Sequence, residues 1–515
     1  MINCQKNKKR NSIQNLFNME KLLNSFRQFD FSAGLVAGIN ESLAPRGSVG
    51  LAINFDFDVE IGSATTRPGT FIIGGQMVAG NSILGLHNHV AGSTSTLFSA
   101  INDVGSATAV IYDQAGDVRV TGLTANKKVR MLTFNAATLI INGADAEQSY
   151  TAAGGFITTG GAFDLANIPG ANLNNLCTVF LDRVYLAGDT ANPARLYYSG
   201  VSSGGTVSWT SGNGNIDIDV GNDKGAITAL GRVPGYILIF KNRSMTRWNY
   251  SSAFPEELIS YGTPSQESVV SAGGVCAFYS NSNEHDKGFF ITNGGAPVPI
   301  SHDNARPIRK WVDAIDVANE ANIAGRAINN GFAWSIGDVT VDRQLYHNVE
   351  LRYNRILNQW SVRMYPTKFT VYASYLDGQG RNVTVAGDTD GQVLELDRPE
   401  RFVDFVMKNG EPGESSINFQ IETHSETHGF NNLKQVADVL EFSTINGQGS
   451  TPYVMVDGNE VVECTSLDKD IGAVKLPKNL VGARFAYGLK GSMSNGRLVL
   501  KEICVPNISV VAGYN

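Results

Sequence analysis

Short apolar runs recur along the middle of this 515-residue chain, and their spacing constrains the fold more than any other feature. Seven such runs begin at positions 83, 139, 184, 237, 275, 332 and 371. The intervals between them average 48 residues, and the blades of β-propellers repeat at about 40 to 50 residues. Each blade is a four-stranded sheet that buries its faces against neighbouring blades. The spacing therefore predicts an all-β chain containing a β-propeller of roughly six to eight blades.

Second strands follow several of these runs closely, which predicts a hairpin within a blade. The steps run from Val184 to Leu196, from Ile237 to Met245 and from Val275 to Phe289. The segments between them are rich in residues typical of turns. The 55 glycines and the charged fraction of 17% also favour many short strands. Stacked β-sandwiches, which present strands every 8 to 12 residues or so, are the alternative architecture.

The regions on either side of the repeats have other patterns. Residues 1–30 begin with a polar segment, MINCQKNKKRNSIQ, which lacks the apolar stretch of a secretory signal and is interpreted as a mobile tail. A short amphipathic helix is then predicted from the helical spacing of Met19, Leu22, Leu23, Phe26 and Phe29. Residues 31–400 form the predicted propeller, including its opening strand.

Two further segments are less regular. A helix between blades is predicted near residues 308–326 from the spacing of Trp311, Ile315, Ala318 and Ile323. Residues 401–515 are strand-rich and predict a β-sandwich-like domain. Within that domain one stretch is ambiguous, because helical spacing is kept by Leu433, Val436, Val439 and Leu440.

Charge and cysteine content exclude several classes of protein. The formal net charge of −7 argues against a general nucleic-acid binder, because neutralising phosphates needs a basic surface. The five cysteines are odd in number and widely separated, which predicts neither a disulfide framework nor a zinc site and favours a reducing compartment. No apolar run approaches the roughly 18 residues needed to span a membrane, so no membrane-spanning segment is predicted.

The segment NFDFDVEIGSATTRPGT, residues 54–70, alternates apolar and polar residues before a corner at Arg67-Pro68-Gly69. Alternate side chains of a strand face opposite sides, so one side is predicted to bury Phe55, Phe57, Val59 and Ile61. The other side is predicted to present to solvent or to a neighbour Asp56, Asp58 and Glu60. Such a row could flank a sugar or hold a cation, but nothing around it predicts a dry pocket, so a solvated or interface-lining face is favoured.

Motifs for catalysis and metal binding are scarce. The dinucleotide-binding, P-loop and His-Glu-x-x-His patterns are absent from the sequence. His87 with His89, and His424 with His428, could each supply two metal ligands, although ordinary polar roles are favoured. The run GDTDGQ at 387–392 starts like a calcium loop but lacks the later ligands, so a tight hairpin turn is favoured. No catalytic residue, metal site or cofactor is predicted.

Several longer segments share a recognisable pattern. Residues 29–70 contain Asn-x-Asp, a later glycine and Arg-Pro-Gly, at Asn54, Asp56, Gly62, Arg67, Pro68 and Gly69. Residues 177–200 contain Asp-Arg-Val-Tyr and then Pro-x-Arg-Leu-Tyr-x-Ser, at Asp182, Arg183, Tyr185, Pro193, Arg195, Leu196, Tyr197 and Ser199. Segments 227–248, 288–301 and 483–505 continue the pattern. Together they resemble the β-propeller tail nozzle and tail hub proteins of short-tailed, podovirus-like bacteriophages.

The resemblance implies a virion structural protein of the tail, assembled in the bacterial host cytoplasm, rather than an enzyme. Copies would form a homo-oligomeric ring, hexameric by analogy, in contact with portal-adaptor and other tail proteins. The ring would retain the genome and then eject it, with transient, non-specific passage of genomic DNA. A net-acidic wall suits this role because it repels phosphate. A tail component that stabilises packaged DNA is a variant of the same interpretation.

A carbohydrate-binding or depolymerising propeller, of the tail adhesin or tailspike type, is the alternative from another functional class. It would need aromatic platforms and carboxylates at one end of the propeller. The candidate platforms are Trp209, Trp248, Trp311, Trp334 and Trp360. Their distribution over separate strands favours core packing instead.

Overall fold

The computed structural model of the chain describes residues 23–76, 78–103, 105, 107–170, 173–218, 225–251, 254–259, 261–282, 287–302, 306–408, 411–428, 435–458, 460–477 and 480–510. The chain forms two compact units. Unit 1 combines the chain up to Arg67 with the chain from Ile417 onward, and unit 2 is Pro68–Ser416. The predicted boundaries after residues 30 and 400 therefore differ from those observed, because the opening strand groups with the carboxyl-terminal region.

The amino-terminal part of unit 1 contributes six short strands. They are β1 (Leu23–Gln28), β2 (Gly34–Leu35), β3 (Ser48–Val49), β4 (Leu51–Ile53), β5 (Phe55–Asp56) and β6 (Ala64–Thr66). β2 and β3 pair in parallel, and β5 pairs with β6 in antiparallel fashion.

Unit 2 begins with β7 (Phe71–Gln76) and continues in antiparallel groups of four strands. Blade 1 is β8 (Ile83–Ala91), β9 (Thr94–Asn102), β10 (Thr108–Asp113) and β11 (Val118–Thr124). Blade 2 is β12 (Arg130–Phe134), β13 (Ala137–Ile141), β14 (Gln148–Thr151) and β15 (Gly155–Ile157). Blade 3 is β16 (Leu176–Phe180), β17 (Arg183–Ala187), β18 (Arg195–Tyr198) and β19 (Gly214–Asp217).

The remaining blades repeat this arrangement. Blade 4 is β20 (Ala229–Val233), β21 (Tyr236–Phe240), β22 (Met245–Trp248) and β23 (Glu256–Ile259). Blade 5 is β24 (Val270–Ala272), β25 (Val275–Ser280), β26 (Gly288–Thr292) and β27 (Val298–Pro299). Blade 6 is β28 (Ala324–Ile328), β29 (Gly331–Val341), β30 (Gln344–Asn354) and β31 (Gln359–Met364). Blade 7 is β32 (Phe369–Leu376), β33 (Asn382–Asp388) and β34 (Gln392–Leu396), with β7 as its fourth strand.

The first strands of the blades form the inner wall of a closed ring. Each contacts the first strand of the next blade, and β32 of blade 7 contacts β8 of blade 1. β7 pairs with β34, so a strand from before blade 1 completes the last blade and closes the ring. The prediction of a β-propeller is confirmed. Each of the seven apolar runs of the sequence falls in a different blade, and the predicted hairpins in blades 3, 4 and 5 are present.

In five of the seven blades the apolar run lies in the second strand, where burial of both faces explains why the run is apolar. In β17, Val184 and Leu186 join a core shared with blade 2, whereas Tyr185 and Ala187 join a core shared with blade 4. A strand that is buried on both faces needs a continuous apolar run rather than an alternating one. Each such run therefore ties two neighbouring blades to its own.

Helices are short in the part of the chain that the structure describes. α1 (Arg309–Asp313) and α2 (Val317–Glu320) replace the single helix predicted near 308–326. They are separated at Asp316, whose side chain accepts a hydrogen bond from the backbone of Ala318 and so starts α2. Three 3-10 turns cover Glu41–Leu43, Gly161–Phe163 and Leu165–Asn167. None of the described helices has the length and apolar character to cross a membrane.

The carboxyl-terminal strands follow β35 (Val403–Lys408), which pairs with residues 411–416 of the next strand. They are β36 (Glu411–Glu422), β37 (Gln435–Ala437), β38 (Val439–Ile445), β39 (Thr451–Val456), β40 (Glu460–Glu463), β41 (Ile471–Lys475), β42 (Val481–Gly482), β43 (Phe485–Met493) and β44 (Val499–Val510). In unit 1, one sheet has the order β4-β36-β43-β39-β40 and another has β41-β38-β44-β37-β42. Phe419 and Leu489 of the first share one core with Leu440 and Ile503 of the second.

The structure corrects the prediction for the amino-terminal helix. Residues 23–28 form β1, which pairs antiparallel with β44, so that Phe26 lies opposite Val505. Pairing with a distant strand outweighs a helical spacing of a few residues, because local propensity is a weak constraint. Met19 and Leu22 lie outside the described residues. In the ambiguous stretch, Val436 lies in β37, and Val439 and Leu440 lie in β38, whereas Leu433 lies outside the described residues.

Candidate functional site

Arg67, which is only 1% exposed, is held by Asn54. Its Nε donates a hydrogen bond to Oδ1 of Asn54 at 2.8 Å, and its backbone N–H donates to the Asn54 carbonyl at 2.9 Å. The Asn54 amide donates to the carbonyl of Asn418 at 2.7 Å. Asn54 has a φ of 61°, a left-handed conformation that asparagine adopts more readily than most residues. These two residues of the sequence pattern therefore close the 54–67 loop with a buried pair.

Asp56 is buried rather than solvent-exposed. Only 2% of its side chain is accessible, and its Oδ2 lies 3.4 Å from Nη2 of Arg497. Glu60 is exposed and lies 3.5 Å from Nζ of Lys501. The acidic residues therefore do not share one face, and the predicted solvated row is wrong for Asp56.

The apolar side of this segment is shorter than predicted. Phe55 and Phe57 belong to the core of unit 1, as expected from the alternation. Val59 and Ile61 are 54% and 78% exposed, contrary to the prediction. The reason is that β5 ends at Asp56, so the alternation of faces does not continue through residue 61.

Two glycines of the pattern occupy positions where a side chain would be strained. Gly62 has a φ of +85°, and its carbonyl accepts a hydrogen bond from the Phe31 backbone at 3.2 Å. A Cβ on Gly69 would lie 1.9 Å from the carbonyl oxygen of Val403, so only glycine fits there. Pro68 is the first residue of unit 2. The corner leads into β7, the fourth strand of blade 7.

The Asp-Arg-Val-Tyr segment forms the first hairpin of blade 3. Leu181 and Asp182 have φ values of 48° and 55°, which is the geometry of a tight two-residue hairpin turn. Arg183 is buried and donates through Nη1 to the carbonyls of Ser199, at 2.5 Å, and Gly212, at 2.7 Å. It therefore joins β17 to the segments that follow β18.

The tyrosines, the leucine and the serine of the blade pattern also have structural contacts. Tyr185 and Leu196 are fully buried in the core between blades 3 and 4, where burial raises the pKa of Tyr185 to about 12. The Tyr197 hydroxyl donates to Oδ2 of Asp189 at 2.7 Å. The Ser199 hydroxyl accepts a hydrogen bond from the backbone N–H of Val184 at 3.0 Å.

The two remaining residues of the blade pattern, Pro193 and Arg195, lie near the surface. Arg195 donates to both carboxylate oxygens of Asp217, at 2.6 and 3.0 Å, across β18 and β19. The carbonyl of Pro193 accepts a hydrogen bond from the Ile227 backbone at 2.8 Å. In this structure the pattern residues thus serve the architecture of one blade and of the opening loop.

The histidine pair on β8 bonds to threonines. His87 Nε2 lies 2.7 Å from Oγ1 of Thr133, and His89 Nδ1 lies 2.8 Å from Oγ1 of Thr138. Burial, together with the neighbouring His89, lowers the pKa of His87 to about 4. His87 is therefore neutral at pH 7 and acts as a hydrogen-bonding group within the propeller.

The second histidine pair lies beside a cavity of about 690 Å³ in unit 1. His428 Nδ1 lies 2.8 Å from Oε1 of Gln435, and its Nε2 lies 3.1 Å from the hydroxyl of Tyr487. Burial lowers the pKa of His428. His424 and Glu426 line the same cavity. Over the described residues, no group of three or more His, Cys, Asp or Glu is arranged to hold a metal ion.

Two further motif-like stretches are turns. In GDTDGQ, Oδ1 of Asp388 accepts from the backbones of Asp390, at 2.9 Å, and Gln392, at 2.7 Å, which forms the favoured hairpin turn between β33 and β34.

Residues 200–204, GVSSG, have the spacing of a nucleophile elbow. However, the described residues that directly follow Ser202, 203–218, contain no helix, and the Ser202 hydroxyl accepts a hydrogen bond from the amide of Asn135 at 2.6 Å. The strand–turn–helix that activates such a serine is therefore missing at this position.

The tryptophans do not form an exposed platform. All are 4% exposed or less and pack within the propeller: Trp209, Trp248, Trp311, Trp334 and Trp360. Trp334, for example, lies 4.4 Å from the ring of Phe289. The candidate platforms of a carbohydrate-binding propeller are thus core residues. This is the core packing that their distribution over separate strands favoured.

Charged side chains converge on the propeller axis at the amino-terminal ends of the innermost strands. Arg130, the first residue of β12 in blade 2, donates from Nη2 to Oε1 of Glu267 at 2.8 Å. Glu267 precedes β24 of blade 5, across the ring from blade 2. Arg130 also donates from Nη1 to the carbonyl of Asn175, before blade 3, at 2.6 Å. This largely buried ion pair therefore spans the axis at one end of the propeller.

Two lysines complete this group. Lys128 donates from Nζ to the carbonyl of Thr370 in blade 7 at 3.2 Å. Lys368 donates from Nζ to Oδ1 of Asn319 at 3.3 Å. We call the four charged residues the axial cluster: Lys128, Arg130, Glu267 and Lys368.

The members of the axial cluster act on each other electrostatically. Burial lowers the pKa of Lys128, and repulsion from Arg130 and Lys368 adds to this effect against the attraction of Glu267. Burial opposes ionisation of Glu267, but Arg130 and Lys128 outweigh it and hold the Glu267 pKa below its usual range. The cluster thus places three cationic groups around one ionised carboxylate, an arrangement suited to binding an anion.

No motif or local spacing in the sequence indicates the axial cluster. Its members extend over 240 positions and belong to three different blades. The shared signal is that each charged residue lies within three positions of the start of an innermost strand. That signal becomes visible only when the seven blades are aligned with one another.

Comparison with known proteins bears on the fold alone. No protein-family model matches the chain, and no curated protein matches it. Similar solved structures include the N-terminal domain of Nup159, at 9% identity and a TM-score of 0.36, covering 68% of this chain and 100% of that one. BamB from Moraxella catarrhalis has 12% identity and a TM-score of 0.36, covering 73% and 100%. The Neurospora crassa Pan2 WD40 domain has 7% identity and a TM-score of 0.35, covering 66% and 97%.

Likenesses at this level carry no argument about function, so the class of the protein rests on its own strand topology. Unit 2 is a β-propeller of four-stranded blades closed by β7, and unit 1 is a second all-β unit built from both parts of the chain that flank it.

Proposed function

We propose that this chain is a structural protein of a short-tailed phage tail, forming a nozzle or hub ring that retains the genome and releases it during ejection. The proposal rests on one observation. Most residues that carry the sequence resemblance have structural contacts in this chain, above all the buried Asn54–Arg67 pair and the Arg183 contacts of blade 3. A resemblance on scattered exposed positions would have no such coherence.

The axial cluster limits where a conduit can run. The Arg130–Glu267 ion pair crosses the axis of the propeller, so DNA has no open path through one chain. A genome channel must therefore lie between copies, with each propeller forming part of its wall. The net charge of −7 supports this role, since an acidic wall does not hold phosphate during passage.

We further infer that the two sheets of unit 1 stack as a β-sandwich. The support is that residues of both sheets, among them Phe419 and Ile503, share a single core. In the proposed ring this unit gives each copy a second rigid body for contacts with portal-adaptor and other tail proteins.

Electron microscopy tests the proposal directly. We expect gold-labelled antibody against the chain to mark the tail of purified particles on its axis, and purified chain to form rings of a constant number of copies, six by analogy. We also expect those rings to release duplex DNA at physiological salt, because the chain has a net charge of −7 and holding phosphates needs a basic surface. Label absent from the tail axis would refute the proposal. Hydrolysis of a host glycan by the purified chain would favour the carbohydrate-active alternative.

A further inference from the structure

The axial cluster carries more positive charge than its own carboxylate offsets. Lys128, Arg130 and Lys368 are three cations against the single carboxylate of Glu267, which leaves a formal excess of two positive charges. Asp338 also attracts Lys368 from a half-exposed position, so the net excess around the cluster lies between one and two positive charges. The mutual repulsion of the cations would be relieved by a bound anion.

Hydrogen-bond donors in the cluster point to the same conclusion. Nε of Arg130 is buried and has no acceptor among the described residues. A lysine ammonium has three N–H donors, whereas each of Lys128 and Lys368 donates to one acceptor in the described part of the chain. Buried donors in folded proteins are nearly always satisfied, so an unsatisfied one at a cationic site indicates a missing acceptor.

We propose that the axial cluster is a binding site for a phosphate group. A phosphate monoester carries about −1.5 to −2 charges and three strong acceptor oxygens, which match the excess charge and the free donors. Guanidinium and ammonium groups are the cations that proteins use for phosphate. Inorganic phosphate and the phosphate of a mononucleotide share this chemistry. Because the Arg130–Glu267 pair fills the axis, the site takes a single phosphate group at the mouth rather than a passing strand.

Calorimetric titration and thermal melting of the purified full chain test the site. The probes are inorganic phosphate and adenosine monophosphate, with sodium chloride at equal ionic strength as the reference. We expect saturable binding of phosphate and a rise in the melting temperature that chloride does not reproduce. Lys128→Met and Lys368→Met should each weaken binding at least tenfold. Lys127→Met is the matched control, because this neighbouring lysine is exposed, and it should change the affinity less than twofold.

The Glu267→Gln variant distinguishes a change in phosphate affinity at the axial cluster from a general change in the stability of the fold. Removing the single buried carboxylate raises the excess positive charge, so this variant should bind phosphate more tightly even if it melts earlier. Equal loss of binding in Lys127→Met and Lys128→Met, or a response to phosphate no larger than that to chloride, would overturn the proposal.

The two probes identify the source of the phosphate. At least tenfold tighter binding of adenosine monophosphate assigns the site to a nucleotide, and equal affinities assign it to the free anion. All four residues belong to one chain, so the result does not depend on ring formation. A chain that binds phosphate but is absent from tails would refute the proposed function and leave this site standing.

Discussion

Glu350→Gln, in a buried ion network of blades 6 and 7, is the most informative single change in the propeller. Arg326 donates from Nε and Nη2 to the two oxygens of Glu350, at 3.0 and 2.9 Å, and the Tyr372 hydroxyl donates to the same carboxylate at 2.8 Å. Arg326 and Arg363 also donate to Asp397. The side chains of Arg326 and Glu350 are 2% and 0% exposed.

The expected loss follows from burial. Removing one partner of a buried ion pair costs about 3 to 5 kcal/mol, because it leaves an uncompensated charge away from water. Asp397 still compensates part of the Arg326 charge, so we expect about 3 kcal/mol for Glu350→Gln. Asp217→Asn is the matched control, since Arg195 and Asp217 have the same two-pronged geometry on the surface, where 31% and 56% of the side chains are exposed. It should cost less than about 1 kcal/mol.

Urea unfolding monitored by tryptophan fluorescence measures both changes. All five tryptophans lie in unit 2, so the signal reports on the propeller and not on unit 1. Equal losses for Glu350→Gln and Asp217→Asn would refute the reasoning that burial decides the contribution of the pair.

The dependence on pH provides a second check of the same change. Burial opposes ionisation of Glu350, but Arg326 outweighs it and holds the Glu350 pKa below its usual range. A lowered pKa in the folded state contributes stability above the unfolded-state pKa of about 4.3 and loses it as the pH falls further. The difference between the wild-type chain and Glu350→Gln should therefore shrink below about pH 4.

Three further predictions concern other positions. Gly69→Ala should destabilise the chain by about 3 kcal/mol or more in thermal melts, because its Cβ would overlap the Val403 carbonyl, whereas Gly378→Ala, which meets nothing within 4 Å, should be nearly neutral. Burial raises the pKa of Asp388 to about 6. The folding stability that Asp388 contributes is therefore present below about pH 4 and is lost as the pH rises through 6. Asp388→Asn should thus gain stability relative to wild type between pH 4 and 7, by at most about 3 kcal/mol in urea unfolding, and a constant difference would contradict this. Burial also raises the pKa of the Cys276 thiol to about 12, so this thiol should react with a disulfide reagent at pH 8 only on unfolding, and rapid labelling of the native chain would contradict its burial.

The resemblance to phage tail proteins and the functional expectations drawn from it remain predictions. The pattern residues could be located from the sequence, but their contacts could not. Arg183, for instance, is tied to Ser199 and Gly212, a partner 29 positions away that no local spacing indicates. Asp56 was expected to face solvent or a neighbour, but β5 pairs with β6 and the Asp56 carboxylate is buried beside Arg497, a residue distant in the sequence.

By itself the sequence indicated the strands of the propeller and their repetition, because a strand buried between two blades is apolar over most of its length, as residues 184–187 of β17 are. Tertiary structure alone decided how the ring closes and how the flanking segments fold. β7 completes blade 7 although more than 300 residues separate it from β34, and β1 is a strand because it pairs with β44. The axial cluster likewise arises only when the ring brings the starts of blades 2, 5 and 7 together. These features depend on contacts between distant residues, which no local pattern of side chains specifies.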